Sequence, residues 1–384
     1  MSSVNELLAD HQVLICCGTG GVGKTTIAAV LALEGARQGR KTCVITIDPA
    51  KRLADALGLE HLSDTPSDID RGRWDDDHTA KPDGVLSALM LDTKSTFDQL
   101  VTANATTTEQ AQRILDNRFY RNVSGALGGT QEYMAMEKLH ELHDAGDFDL
   151  IVIDTPPTRH ALDFLDAPRR LLRLLDNRIF RMLMMPTRAY LKVASVAVQT
   201  FLRTVARVVG SEAIDDVVAF FRAFEGMEAG FRDRALAVEA LLASPDTAFV
   251  LVTSPRRDAM EEAEYFAMQL ERQGQDIDAL IVNRVHPTFG DESPAGLRAA
   301  ANELATRSDD AARRLAARYA NLADFREIAE LERAHLVGVQ ARVGADAIVF
   351  VPYLARDVYD FAALREIGTI LFTPPVDSAG SPSA

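Results

Sequence analysis

Cysteine, tryptophan and net positive charge are all scarce in this 384-residue sequence, and no uncharged apolar run is long enough to span a membrane. Three cysteines, Cys16, Cys17 and Cys43, cannot build a disulfide framework or a CxxC zinc pair, and they fit a reducing cytoplasm. A formal net charge of -15 argues against general nucleic-acid binding, which needs basic surface to neutralise phosphates. Met1 to Asp10 carries acids where a signal peptide carries bases, so secretion is not expected. The best candidate span, Met182 to Leu202, is interrupted by Pro186, Arg188 and Lys192 and reads as non-spanning.

With 47% hydrophobic residues the chain has ample material for a large core. Seven short runs rich in Val and Ile stand out: Val13 to Cys17, Cys43 to Ile47, Val85 to Leu91, Leu150 to Ile153, Phe249 to Thr253, Leu280 to Asn283 and Ile348 to Val351. None alternates apolar with polar, so they predict strands buried on both faces and an α/β fold with a mostly parallel sheet flanked by helices. Between Ile47 and Val85, a stretch with Asp64, Asp68, Asp70, Asp75, Asp76 and Asp77 and the single Trp74 reads as a solvated acidic loop. Two helical stretches are too long for simple crossovers. They predict an inserted α-helical subdomain, 93–143 and 168–242, within a discontinuous nucleotide domain, 1–92, 144–167 and 243–372. Ser293 to Arg342 predicts two or three amphipathic packing helices, and the Pro-rich tail 373–384 is expected to be disordered.

Gly18-Thr19-Gly20-Gly21-Val22-Gly23-Lys24-Thr25 follows an apolar strand, precedes a helical pattern and matches G-x-x-x-x-G-K-[ST]. In such a turn the backbone N–H groups of Gly20, Gly21, Val22, Gly23 and Thr26 face phosphate oxygens of ATP or GTP. Lys24 neutralises β/γ charge and Thr25 ligates Mg²⁺. Gly18, Gly20 and Gly23 also spell G-x-G-x-x-G, and Asp48 ends the second strand where a dinucleotide fold places its ribose-binding acid, so a Rossmann dehydrogenase is the rival. Lys24-Thr25 favours the P-loop. So does Asp154, which closes Leu150 to Ile153 as a Walker B aspartate supporting Mg²⁺, here through water. Asp48, beyond a strand tip, could orient the attacking water.

Taken together, Gly18 to Thr26, Thr46-Ile47-Asp48-Pro49-Ala50 and Asp154-Thr155-Pro156-Pro157-Thr158-Arg159-His160 resemble the arsenite-pump and tail-anchored-protein-targeting ATPase family. Gly129 to Glu132, Phe164 to Pro168, Ile281 to Asn283 and Val351 to Leu354 extend the resemblance in family order along most of the chain. It implies an ATP hydrolase with Lys24, Asp48 and Asp154 as catalytic groups, a switch loop at Asp154 to His160, and Asn283, Pro352 and Tyr353 framing adenine. It also implies a dimer whose nucleotide state moves the helical subdomain to handle hydrophobic or membrane-protein clients. The alternatives are an energising subunit of a membrane anion transporter and a weakly hydrolysing regulatory subunit.

Three departures from that pattern adjust the expectation. Thr19 stands where the family usually has a lysine that reaches the partner's phosphates, which favours a heterodimer with a homologue over a symmetric homodimer. Neither an arsenite-sensing thiolate cluster nor a zinc-linked CxxC can form, so no arsenite or zinc site is expected. Between Arg169 and Val209, nine basic residues stand against Asp176 alone, interleaved with Leu, Phe and Met. That stretch, 169–209, predicts a surface for a hydrophobic client or anionic lipid, and a cytoplasmic protein that can work at the inner face of a membrane.

Overall fold

The computed structural model describes residues 4–47, 52–123, 130–156, 161–177, 211–307 and 309–373. Eight strands form one sheet: β1 (Val13–Gly18), β2 (Lys41–Thr46), β3 (Ser67–Asp68), β4 (Val85–Met90), β5 (Leu150–Asp154), β6 (Thr247–Thr253), β7 (Ala279–Val285) and β8 (Ala347–Pro352). Their order is β3-β4-β2-β5-β1-β6-β7-β8. Every pairing is parallel except that of β3 with β4. All seven strands expected from the apolar runs are present.

Helices connect the strands. The first eight are α1 (Val4–Asp10), α2 (Lys24–Arg37), α3 (Arg52–Ala56), α4 (Arg71–Trp74), α5 (Thr93–Asn104), α6 (Thr108–Leu115), α7 (Arg118–Val123) and α8 (Thr130–Ala145). After β5 come α9 (Ala161–Asp176), α10 (Ser211–Phe224), α11 (Glu228–Leu242), α12 (Arg257–Arg272), α13 (Pro294–Ala305), α14 (Asp310–Val343) and α15 (Phe361–Phe372).

The absence of alternation in the strands has a direct cause. On β1, Val13, Ile15 and Cys17 join a cluster with Met134 and Leu139 of α8, Phe231 of α11 and Phe266 of α12. Leu14 and Cys16, on the opposite face, pack with Ile27 and Leu31 of α2 and Leu364 of α15. Each face is therefore covered by helices, and each fully buried Val, Ile or Leu contributes about 1.5–3 kcal/mol. Helices α5, α6, α8, α9, α10 and α11 pack on one another beside the β1–β5 face.

The stretch before Val85 departs from the expected solvated loop. Trp74 is buried, donates from Nε1 to the Ile69 carbonyl at 3.1 Å, and lies under the Arg71 guanidinium. Arg71 also donates to the carbonyls of Ala80, Lys81 and Pro82 and to buried Asp75. Apolar burial and one multiply bonded cation thus order a segment in which Asp68, Asp70, Asp76 and Asp77 stay exposed. The 293–342 region forms two helices, one of them 34 residues long. Among the described residues no helix is long and apolar enough to cross a membrane. Residues 374–384, and the Met182 to Leu202 candidate span, lie outside the described residues.

Candidate nucleotide site

β1 sits near the middle of the sheet and delivers the glycine turn at its C-terminal end, where ligands bind in open parallel sheets. Gly18 ends the strand at φ 141°, and a Cβ there would collide with the Val252 carbonyl on β6. Gly23 caps α2 at φ 99° and offers no side-chain cap, so the first-turn N–H groups of α2 remain available to an anion.

The turn's carbonyls are held from outside. Thr19 O accepts from Lys24 Nζ at 2.8 Å, Gly21 O from Arg284 Nη1 at 2.8 Å, and Val22 O from Asn283 Nδ2 at 2.8 Å. Lys24 is buried, which lowers its ammonium pKa, while Asp154 opposes that shift.

β5 brings Asp154 beside the start of α2. Thr25 Oγ1 donates to Asp154 Oδ2 at 2.7 Å, and Thr46 Oγ1 of β2 donates to the same oxygen at 3.0 Å. Thr46 stands opposite Asp154 in the β2–β5 register, and Cys16 does so in the β1–β5 register. Thr155 Oγ1 adds a 2.7 Å hydrogen bond to Cys16 O. A hydroxyl and a carboxylate are the hard oxygen donors that suit Mg²⁺. Burial pushes the Cys16 and Cys17 thiols well up, and Cys43 to about 12, so none of the three is a thiolate at neutral pH.

Two recesses open on this edge. One, of about 360 Å³, is lined by Gly21, Gly23, Lys24, Thr25, Arg52 and Tyr359. The other, of about 330 Å³, is lined by Asn283, Pro352, Tyr353 and Arg356. Gly23, Thr26, Arg284, Val358 and Tyr359 border both. Tyr353 is half exposed, and its ring lies 5.1 Å from that of His286, which Glu332 of α14 holds through both ring and backbone nitrogens at 2.7 and 2.9 Å.

Lys24, Thr25, Asp154 and the turn therefore meet in one place, with Asn283, Pro352 and Tyr353 along an adjoining recess. Asp48 and the 157–160 segment containing Arg159 and His160 lie outside the described residues, as does the basic stretch from Arg178 to Val209. Sequence reasoning missed Arg52, Arg284 and Tyr359, and gave Thr46 no role of its own within the Thr46 to Ala50 motif. Arg52 lies two residues beyond the Thr46 to Ala50 motif, and Arg284 follows Asn283, but neither carried a signal of its own. Gln131 of α8, which donates from Nε2 to Ile47 O at 2.8 Å, belongs to the Gly129 to Glu132 motif.

A central parallel strand feeding a glycine turn into a helix N-terminus, with an aspartate on the neighbouring strand, defines the P-loop class of α/β nucleotide folds. Within that class the chain belongs to the anion-transporting ATPase family, which it matches over residues 11–303. It is similar to an uncharacterised protein of Streptomyces coelicolor, 30% identical over 74% of this chain and 64% of the relative. A putative arsenical pump-driving ATPase 1 of Aquifex aeolicus is 25% identical over 72% of this chain and 64% of the relative. The ATPase GET3 of Phaeosphaeria nodorum is 24% identical over 70% of this chain and 74% of the relative. The chain thus spans less than two thirds of the length of the Streptomyces and Aquifex proteins.

Proposed function

We propose that the chain binds ATP with Mg²⁺ and hydrolyses its terminal phosphate. The observation that carries this reading is the 2.7 Å contact between Thr25 and Asp154 beside the buried Lys24. Lys24 and the turn N–H groups would hold β- and γ-phosphate oxygens. Thr25, with Asp154 acting through water, would hold Mg²⁺, which neutralises charge developing on the transferred phosphoryl group. Asp48 is assigned from sequence to orient the attacking water. Asn283, Pro352 and Tyr353 would frame the base. An ATPase assay of wild type, Lys24→Ala and Asp154→Asn with Mg²⁺ and with a chelator tests the reading. Undiminished turnover in both variants refutes it.

Hydrolysis is proposed to drive the helical subdomain, 93–143 and 168–242, in handling hydrophobic or membrane-protein clients through 169–209. Support for this comes from β5, which ends at Asp154 and contacts α8, and from the packing of α8 on α9 and α11. Work in the cytoplasm, in part at the membrane's inner face, follows from this role. Similarity to the putative arsenical pump-driving ATPase of Aquifex favours a second reading, an energising subunit of a membrane anion transporter. Purification with native partners separates the two: a fixed polytopic protein supports the pump subunit, and heterogeneous hydrophobic segments support the client role. Thr19 favours a heterodimer with a homologue, and a native mass equal to two copies of this chain alone would count against it.

A further inference from the structure

Successive side chains of a strand point to opposite faces, so two consecutive residues do not normally reach the same loop. Asn283 and Arg284 do. Asn283 Nδ2 donates to Val22 O and Arg284 Nη1 to Gly21 O, each at 2.8 Å. The register of β7 with β8 shifts between Asn283 and Val285, and at this irregularity Arg284 takes φ 61°. Left-handed backbone is uncommon for a bulky side chain, and among the described residues only His78 shares it outside glycine. Asn283 Oδ1 accepts from the Arg284 N–H at 2.9 Å, which stabilises the bulge from within.

Among the described residues the peptide bonds are trans, so within one peptide unit the C=O and the following N–H point in opposite directions. A side chain that pulls the Gly21 carbonyl outward turns the Val22 N–H the other way. The same pull on the Val22 carbonyl turns the Gly23 N–H. Lys24 holds the Thr19 carbonyl in the same manner. A row of N–H groups facing one way is an anion nest. Packing against Gly23 is tight enough that a Cβ there would meet Asn283 Nδ2.

We propose that Asn283 and Arg284 are a positioning pair that sets the N–H groups of Val22 and Gly23 toward a polyphosphate. This rests on the reading of the glycine turn as a phosphate site. Arg284 is exposed and its backbone is strained, so Arg284→Gly removes the guanidinium while relieving the left-handed conformation. Fold and function can then be separated.

The test uses the full chain, with calorimetric titration of ATP, GTP and inorganic tripolyphosphate, and melting temperatures measured alongside. For Arg284→Gly the expected result is weaker binding of all three ligands by one common factor, about tenfold, with an unchanged ATP to GTP ratio, and Asn283→Ala should also weaken tripolyphosphate. Arg284→Gly should melt no lower than wild type, and Arg284→Lys should recover part of the affinity. Wild-type tripolyphosphate affinity in the variants, or a loss confined to ATP, overturns the proposal and makes the pair base readers. If the wild-type protein itself binds neither ATP nor tripolyphosphate, the phosphate site fails and the pair's role with it.

Discussion

Thr25 on α2 and Asp154 on β5, 129 residues apart in sequence, share a 2.7 Å hydrogen bond that bridges the helix to the neighbouring strand. Thr46 of β2 donates to the same carboxylate oxygen at 3.0 Å. Asp154→Asn keeps the shape and removes the charge. Its ATP turnover should fall by about 10²–10³ with nucleotide still bound in the absence of Mg²⁺, as single-turnover and binding assays would read. Turnover within twofold of wild type would remove Asp154 from the reaction.

Gly18 lies where β1 approaches β6 too closely for a side chain. Gly18→Ala forces a Cβ toward the Val252 carbonyl at a positive φ, so unfolding free energy should drop by about 2–3 kcal/mol. Chemical denaturation measures it, and a variant as stable as wild type would contradict the close approach.

Trp74 anchors the aspartate-rich stretch. Trp74→Ala should cost about 3–5 kcal/mol and expose the Arg71–Asp75 region to limited proteolysis. Unchanged stability would return that stretch to an unanchored loop.

His140 on α8 is held below the ordinary imidazole range, chiefly by burial, with Arg234 adding to the shift and Asp144 opposing it. Its Nδ1 has no hydrogen-bond partner among the described residues. A depressed folded pKa means that the unfolded chain takes up a proton the folded chain refuses. Stability is therefore lost as pH falls from the usual 6.5 through the folded value. Glu137, pushed up by burial, acts in the opposite sense, so the readout is the difference between His140→Gln and wild type. The variant's melting temperature should fall less between pH 7 and pH 5.5. Parallel curves would exclude the histidine.

The parallel strands were legible because burial on both faces leaves an unbroken apolar run, as in Val13 to Cys17. β3 was not, since Ser67 and Asp68 are two polar residues paired at the sheet edge with no pattern to detect. Lys24, Thr25 and Asp154 were legible because their types are demanded by phosphate and metal chemistry at set places after strands. Arg284 was hidden because alternation assigns it to the face away from Asn283, and only the bulge at Val285 brings it round. Trp74 misled because charge count describes a segment's surface and says nothing of its one anchor.

The bond from Gln131 Nε2 to the Ile47 carbonyl joins α8 to the residue just before Asp48. Linkage makes such a joint symmetrical: a nucleotide that moves the tip of β2 changes the affinity of whatever binds the helices. A molecule bound to those helices must change nucleotide affinity by the same factor. On the proposed client role, a cargo would therefore also be an effector.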